Sequence, residues 1–246
     1  MKKTLSLLLI GCIITISCKP RHKTGYGRPL VVLTETNPWQ MVLSSDAPTI
    51  AIYENGQVIY KKIMYDKAEY YRVNLSHEDL LQTIDDLGIT DSLKRLPKYT
   101  NVSGATDQPT AELYLNLDSV KTIGISGNLR WGANRDKAPA CFTTVYDNLV
   151  KYQHGRATEW LPDSIEVMLT NYQDSPEKPL AWQVAWPDLK NKTTIKRADD
   201  LYSVYLDKKY FSAFIKLKSS LKENQAVLVN GQKFSVSYRM PFPNLK

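Results

Sequence analysis

Short runs of apolar residues separated by turn-forming residues predict a hairpin in the first third of the chain. Residues 50–53 and 57–60 are rich in β-branched and aromatic side chains, which favour strands. Asn55-Gly56 lies between them and is typical of a two-residue type I′ turn, in which both residues have a positive φ. Residues 71–75 have a similar composition and predict a third strand.

The next stretch has apolar residues at helical spacing and predicts an amphipathic helix that covers the hairpin. Ser76 is suited to the N-cap, and Asp79 follows in the capping-box position. Gly88 follows the last apolar position, where a left-handed residue often ends a helix. Four side chains are expected to be buried against the sheet: Leu80, Leu81, Ile84 and Leu87.

The remainder of the chain shows the same alternation of strand and helix patterns. The last predicted hairpin turns at Asn230-Gly231, again a pair that favours a tight turn. Strands are predicted at 30–34, 165–169, 180–186 and 201–206, hairpins at 111–126 and 226–238, and helices at 138–154 and 207–221.

These elements predict an α+β fold in which antiparallel sheets, built from hairpins, are each packed by amphipathic helices. Residues 71–76 and 202–207 are alike, because each runs from a strand into an N-cap and a helix, with a hairpin after it. Two similar β-α-β units from a duplication and two independent uses of a common joint both remain open. We expect one α+β domain at 30–155 and a second unit at 160–246.

The N-terminus has the pattern of an export signal. Lys2 and Lys3 precede an apolar run over residues 5–16, which is too short to span a bilayer. Cys18, placed behind the small Ser17, resembles the lipidation site of a bacterial lipoprotein signal. The resemblance implies that residues 1–17 are a signal peptide and that a lipid is attached to Cys18. Cleavage at Cys12 and an ordinary secretory signal are the alternatives.

The positive charge of the chain is concentrated near this N-terminus. Removal of residues 1–17 takes away two lysines and lowers the formal net charge from +7 to +5. Residues 18–29, a basic tether, hold four of these charges, so the body is close to neutral. Nucleic-acid binding is therefore disfavoured. A basic segment beside a lipid anchor can instead rest on anionic headgroups, although a solvated linker fits equally well.

Four segments of the first half resemble a bacterial domain family of unknown function that is frequent in secreted proteins and lipoproteins. The resemblance covers about residues 45–155 and implies a fold but no activity. Family members often carry cysteines before the first strand, where this chain has Ser44, Ser45 and Asp46, so no redox or metal role is implied. The whole chain also resembles lipoproteins of Bacteroidetes-type bacteria. The segments are residues 50–56, 75–81, 96–99 and 106–110.

The search for reactive groups yields few candidates. The three histidines, His22, His77 and His154, have no second histidine or cysteine at ligand spacing, so neither a metal nor another cofactor is predicted. Asp107, Arg130 and Trp131 are candidate binding residues because they lie in predicted loops, which carry function more often than cores do. Asp107 is equally well explained as a turn-forming residue.

Trp182 and Trp186 are the other candidates for binding. With Val184 they would share one face of the predicted strand 180–186. Two exposed indoles on one face can stack on sugar rings, whereas core packing is the alternative explanation. Exposure of both side chains is therefore the condition for a glycan or peptidoglycan site here.

The sequence favours an exported protein that is lipid-anchored to the cell envelope, at the outer membrane facing either the periplasm or the cell surface. The lead hypothesis is a non-enzymatic interaction or binding domain. Its expected partners are the lipid bilayer, through acylated Cys18, and an envelope protein or a glycan. The alternatives are a glycan-binding module that uses the exposed tryptophans and a hydrolase whose residues come from distant loops.

Overall fold

The computed structural model describes residues 25–36, 38, 47–64, 67–130 and 132–245. The predicted signal peptide, both candidate lipidation sites (Cys18 and Cys12) and Trp131 lie outside these residues. The described chain folds into an eight-stranded and a six-stranded sheet with helices packed on them, so the predicted α+β class is confirmed. None of the helices in these ranges is long and apolar enough to cross a membrane.

The first sheet is formed by residues 29–159 and has the strand order β5-β7-β6-β1-β2-β3-β4-β8. Its neighbours are antiparallel except for the parallel pair β5 and β7. The elements are β1 (Pro29–Thr36), β2 (Ile50–Tyr53), β3 (Gln57–Met64), β4 (Lys67–Asn74), α1 (His77–Asp86), α2 (Asp91–Lys94), β5 (Tyr99–Asn101), β6 (Thr110–Asn116), β7 (Val120–Ser126), α3 (Ala133–Lys137), α4 (Ala140–Val150) and β8 (Thr158–Glu159).

The second sheet is formed by residues 164–239 and has the order β10-β13-β14-β9-β12-β11. Only β10 and β13 are parallel neighbours. The elements are β9 (Ser164–Asn171), β10 (Leu180–Ala181), β11 (Ile195–Ala198), β12 (Leu201–Asp207), a 3₁₀ turn (Lys208–Tyr210), α5 (Phe211–Ser220), β13 (Val227–Val229) and β14 (Gln232–Arg239).

The hairpin between β2 and β3 is present, but its predicted type I′ turn is wrong. Of the pair, only Gly56 has a positive φ, at 81°, and its N–H donates to the Tyr53 carbonyl at 3.0 Å. The loop therefore has three residues and ends in a left-handed glycine that forms a bulge. At the C-terminal hairpin, Asn230 and Gly231 both have positive φ values, 48° and 81°, as a two-residue loop requires.

The first helix begins as predicted but buries a narrower face than expected. The Ser76 side chain accepts a hydrogen bond from the Asp79 N–H at 3.1 Å. Leu80 and Leu87 are buried, whereas Leu81 is 57% exposed, which corrects its predicted place in the core. Leu81 lies about 100° around the helix from Leu80 and so points away from the sheet.

Two predicted elements of the chain differ in extent from those observed. The predicted helix 138–154 spans only α4, because Pro139 stands at its N-cap and Lys151 at its C-cap. The predicted strand 180–186 is paired only over β10, and residues 184–186 form a turn. The exposed edge strand β11 lies in a polar stretch for which no strand is predicted.

A shared hydrophobic cluster joins the two sheets. Helices α1, α2 and α4 cover one face of the first sheet, and the second unit packs on the opposite face. Tyr53 and Ile59 of the first sheet meet Ile165, Met240 and Phe242 in this cluster. The Tyr53 hydroxyl also donates to the Pro243 carbonyl at 2.9 Å, so the C-terminal segment binds both halves together.

The two sheets differ in which strand of a hairpin pairs with the central strand. In the first sheet, the central β1 pairs with β6, which is the earlier strand of the β6–β7 hairpin. In the second sheet, the central β9 pairs with β14, the later strand. The strand-to-helix joints at 71–76 and 202–207 are thus alike, but the sheets around them are not built in the same order.

Candidate anion-binding site

Arg130, one of the loop residues selected from the sequence, forms the centre of a polar cluster at the end of β1. Its backbone N–H donates to the side chain of Asn128 at 2.9 Å, which fixes the turn after β7. Its guanidinium binds the Glu35 carboxylate through two bonds, from Nε at 3.2 Å and from Nη2 at 2.5 Å. Such a bidentate pair sets the orientation of both side chains.

Glu35 accepts two further hydrogen bonds. The hydroxyl of Tyr146, on α4, donates at 2.5 Å and that of Thr49 at 2.9 Å. Burial alone would raise the pKa of Glu35, but the bond from Tyr146, the charge and bonds of Arg130 and the bond from Thr49 lower it overall. The carboxylate is therefore ionised and saturated at neutral pH, which makes it a positioning group for Arg130 rather than a proton acceptor.

Two cavities lie on either side of Arg130. The smaller, of about 210 Å³, is bounded by Glu35, Tyr146 and the 127–129 loop. The larger, of about 430 Å³, is named the basic pocket here. Four cationic residues line it, and none of its described lining residues is acidic: the four are Lys61, Lys62, Arg130 and Lys151.

Two lysines of the basic pocket are held in place by neighbouring groups, one by aromatic rings and the other by a carboxylate. The Lys62 ammonium lies 5.7 Å from the Tyr60 ring centroid and 5.2 Å from that of Tyr71. The Lys151 ammonium lies 3.3 Å from the Asp147 carboxylate, which also binds Arg135 at 2.7 Å. The acids that pair with Arg130 and Lys151 do not line the pocket, so every charge among its described lining residues is positive.

Tyr152 lines the basic pocket, but its hydroxyl does not open into it. The hydroxyl is buried and has no hydrogen-bond partner within the described part of the chain. Burial, together with the nearby Tyr60 and Asp79, raises the pKa of Tyr152 to about 12, so the hydroxyl stays protonated at neutral pH. Because the oxygen has almost no accessible surface, Tyr152 forms part of the pocket wall rather than a contact for a ligand.

A second buried carboxylate lies in the second sheet. Glu166, on β9, accepts from Ser203 at 2.6 Å, Arg239 at 2.7 Å and Arg197 at 3.2 Å. Burial would raise the pKa of Glu166, but the bonds from Ser203 and Arg239 and the charges of both arginines lower it. Like Glu35, this carboxylate is saturated by its neighbours, and we assign it a structural role.

The two tryptophans selected from the sequence are buried, which corrects the exposed-tryptophan glycan site. Trp182 and Trp186 are 8% and 3% exposed, and their rings meet edge to face at 4.9 Å against Phe214 of α5. The chain turns after β10, so the two indoles point into the core while Val184 is fully exposed. The Trp182 Nε1 donates to the Pro187 carbonyl at 2.9 Å.

The remaining selected residues do not join the basic pocket. Asp107 is exposed, with a φ of 53° in the loop before β6, and does not line it. His77 is exposed at the start of α1, and the His154 ring accepts from the Arg156 N–H at 3.2 Å. Among the described residues, no group of three or more His, Cys, Asp or Glu is placed to hold a metal ion.

Sequence reasoning missed the lysines and the tyrosine of the basic pocket. Lys61-Lys62 lie within β3, just past the predicted strand 57–60, and Lys151-Tyr152 follow a helix about ninety positions later. Each doublet alone has the composition of an ordinary solvated surface. The one available signal was the lysine doublet itself, directly after the predicted strand.

Compared with known proteins, the chain matches no protein-family model, no curated protein and no solved structure.

Proposed function

We propose that the chain is a lipid-anchored binding protein of the bacterial cell envelope and that the basic pocket binds a small phosphate-bearing ligand. The observation that carries the binding role is the convergence of four cationic side chains on one cavity, with no acidic residue among its described lining residues. Its volume of about 430 Å³ falls in the range typical of small-molecule sites, roughly 300–1,000 Å³.

Phosphate fits the chemistry of this lining better than a carboxylate does. Arg130 is already engaged by Glu35, so its fork does not provide a second bidentate contact. The lysines act as point charges, which suit the several oxygens of a phosphate group.

Binding rather than catalysis is the role that this site supports. Glu35, the carboxylate nearest to the pocket, accepts four hydrogen bonds and its pKa is lowered, so it is poorly suited to act as a general base. The lysines of the pocket provide electrostatic attraction for an anion.

The pocket is tested with inorganic phosphate and the processed protein purified in detergent. Lys62→Gln removes one positive charge from the pocket, and we expect phosphate affinity by calorimetry to fall by about threefold to tenfold. Lys216→Gln removes an exposed charge on α5 and is the matched control, with no change expected. Affinity should also fall as sodium chloride is raised. Absence of phosphate binding, or equal losses in the two variants, would contradict the binding role.

The envelope anchor rests on the N-terminal pattern of a basic start, an apolar run and Cys18. Gly25, the first described residue, is seven positions from Cys18. Seven residues of fully extended chain are at most about 25 Å long. A lipid on Cys18 would therefore hold the folded body close to the bilayer surface.

The anchor is tested by growth of an expressing bacterium with an alkyne-tagged fatty acid, followed by gel detection of the labelled protein. We expect the wild type to carry the label and Cys18→Ala to lose it. Cys12→Ala removes the other candidate cysteine and should remain labelled. Label on the Cys18→Ala protein, or none on the wild type, would overturn the assignment.

A further inference from the structure

A second cleft, of about 660 Å³, lies between the two sheets and is named the junction cleft here. Ligand sites are frequent at such boundaries between packed units. Three aromatic residues from distant parts of the chain meet along it: Tyr26 near the N-terminus, Trp160 in the linking segment and Phe242 near the C-terminus. The cleft therefore exists only when both units are folded and packed together.

The aromatic wall of the junction cleft is rigidly held. The Trp160 and Phe242 ring centroids are 5.2 Å apart in an edge-to-face arrangement. The Trp160 Nε1 donates to the Tyr26 hydroxyl at 3.0 Å. Tyr70, on β4, supports both Trp160 and Phe242 from the sheet at 6.2 and 6.0 Å. These contacts fix the ring positions before any ligand enters, which lowers the entropy lost on binding.

Arg72 is the distinctive polar residue of the junction cleft. It lies on β4 and is partly buried, yet its guanidinium forms no hydrogen bond or ion pair within the described part of the chain. Six of the eight described arginines pair with a carboxylate, and Arg95, the other exception, is exposed at the end of α2. A partly buried guanidinium without a partner favours a ligand that provides a carboxylate.

The other polar groups of the rim carry both signs of charge. Lys208 is paired with Asp163 at 2.7 Å, whereas Glu159 is exposed opposite this pair in the lining. Gln57 adds an amide that can donate and accept hydrogen bonds. Alternating donors and acceptors around an aromatic wall suit a ring that carries several hydroxyl groups.

We propose that the junction cleft binds an acidic sugar, with the carboxylate of the sugar held by Arg72. The sugar ring packs against Tyr26, the partly exposed ring of the aromatic wall, since Trp160 and Phe242 are only 7% and 4% exposed, and the sugar hydroxyls bond to Gln57 and Glu159. This site is separate from the basic pocket, with which it shares no lining residue. Sugar binding at the junction cleft is therefore independent of phosphate binding at the basic pocket.

The probes are methyl β-D-glucuronide and its neutral counterpart, methyl β-D-glucoside, titrated into the processed protein in detergent at pH 7. We expect the glucuronide to bind more tightly than the glucoside by calorimetry. Arg72→Gln should weaken glucuronide binding by about tenfold or more, because a charge-assisted bidentate contact is lost, and should leave glucoside binding nearly unchanged. Arg72→Lys, which keeps the charge but not the fork, should be intermediate.

Two control variants assign the effect to the cleft. Arg95→Gln removes the other unpaired arginine and should bind the glucuronide like the wild type. Lys62→Gln alters the basic pocket and should also leave glucuronide binding unchanged. Circular dichroism and thermal midpoints confirm that each variant is folded. The proposal is overturned if neither sugar binds at millimolar concentration, if both bind equally, or if Lys62→Gln rather than Arg72→Gln removes binding.

Discussion

Two buried carboxylates, Glu35 and Glu166, are stabilised by the same combination of groups although they lie in different sheets. Each accepts a hydroxyl bond of 2.9 Å or shorter and at least two bonds from arginine. In both, burial alone would raise the pKa, and the hydrogen bonds and positive charges reverse that direction. A carboxylate held in this way contributes to stability only while it is ionised.

The lowered pKa values predict that the protein loses stability in acid. In the unfolded chain a glutamate has a pKa of about 4.3, so between this value and the lower folded pKa the unfolded state binds more protons. The contribution of each carboxylate is thus fully present above about pH 4.3 and is lost as pH falls through its folded pKa. We expect the free energy of unfolding, measured by urea titration, to lose nothing from these two carboxylates between pH 6 and pH 5 and to decrease as pH falls below about 4.3 toward pH 3.

Glu166→Gln assigns part of this acid sensitivity to one residue. The Glu166 side chain is only 3% exposed, and its replacement by glutamine removes the negative charge that Arg239 and Arg197 contact. We expect a loss of about 2–3 kcal/mol at pH 7, because both arginines keep some access to water, and a shallower decline toward pH 3. Glu223→Gln changes an exposed acid and should reproduce the wild-type profile. Parallel pH profiles for Glu166→Gln and the wild type would contradict this origin.

The sequence indicated Arg130 as a candidate binding residue but did not indicate the side chains that surround it. Arg130 follows a predicted hairpin, and loops are where binding residues concentrate. Its partner Glu35 lies 95 positions earlier, at the end of a strand whose neighbours are set by long-range pairing. Tyr146 falls within the apolar stripe of the predicted helix, and nothing local indicates that its hydroxyl reaches Glu35. Contacts of this range depend on the finished sheet order.

At the scale of elements, the two Asn-Gly hairpins show how the same pair adapts to different surroundings. Gly56 and Gly231 have the same φ of 81°. A Cβ at Gly56 would lie 2.4 Å from the Leu75 carbonyl oxygen, whereas a Cβ at Gly231 would meet nothing within 4 Å. Gly56 is thus required by both backbone conformation and close approach, and Gly231 by conformation alone.

The pair provides a matched test of these two causes. Gly231→Ala should reduce the free energy of unfolding by about 1 kcal/mol, the usual penalty of the left-handed conformation for an L-residue. Gly56→Ala meets the same penalty and also forces β4 and the hairpin apart at Leu75, so we expect a loss of at least about 2 kcal/mol. Urea denaturation measures both losses. Equal losses would show that the contact with Leu75 relaxes freely.

Local patterns predicted most elements because their signals are local. The Ser76 cap, the period-two strands and the Asn-Gly turns act within a few residues, and the corresponding helix and hairpins are observed. The strand predicted over 180–186 is wrong beyond β10, because Trp182 and Trp186 are buried by a turn of the chain rather than by pairing with a neighbouring strand. The edge strand β11, with every residue exposed, lacks any apolar alternation.

At the scale of the molecule, the packing of one sheet on the other was not predicted. A sequence signal did exist, because the four residues of β2 form a continuous apolar run, which is typical of a strand covered on both faces. All four are buried in the structure. The element that covers the second face comes mainly from the C-terminal segment, about 190 positions later. No local pattern relates two segments so far apart, and the junction cleft between them was equally inaccessible to sequence reasoning.

The shared cluster predicts that the two sheets depend on one another for stability. Phe242 is 4% exposed and contacts Trp160 at 5.2 Å and Tyr70 at 6.0 Å between ring centroids, so it links the C-terminal segment to the first sheet. Phe242→Ala removes these contacts and leaves a cavity between the units, and we expect a loss of about 3–4 kcal/mol.

Leu228→Ala is the matched control for Phe242→Ala, because Leu228 is 41% exposed on β13 and lies outside the shared cluster. We expect this control to lower the free energy of unfolding by no more than about 1 kcal/mol. Urea denaturation is followed by the fluorescence of the five tryptophans, of which Trp160, Trp182 and Trp186 are buried, and by far-ultraviolet circular dichroism, which reports on both sheets. If the cluster couples the units, the two signals change together in the wild type, and the Phe242→Ala midpoint falls for both. Separate transitions in the wild type would mean that each sheet is stable alone and that the cluster only holds them side by side.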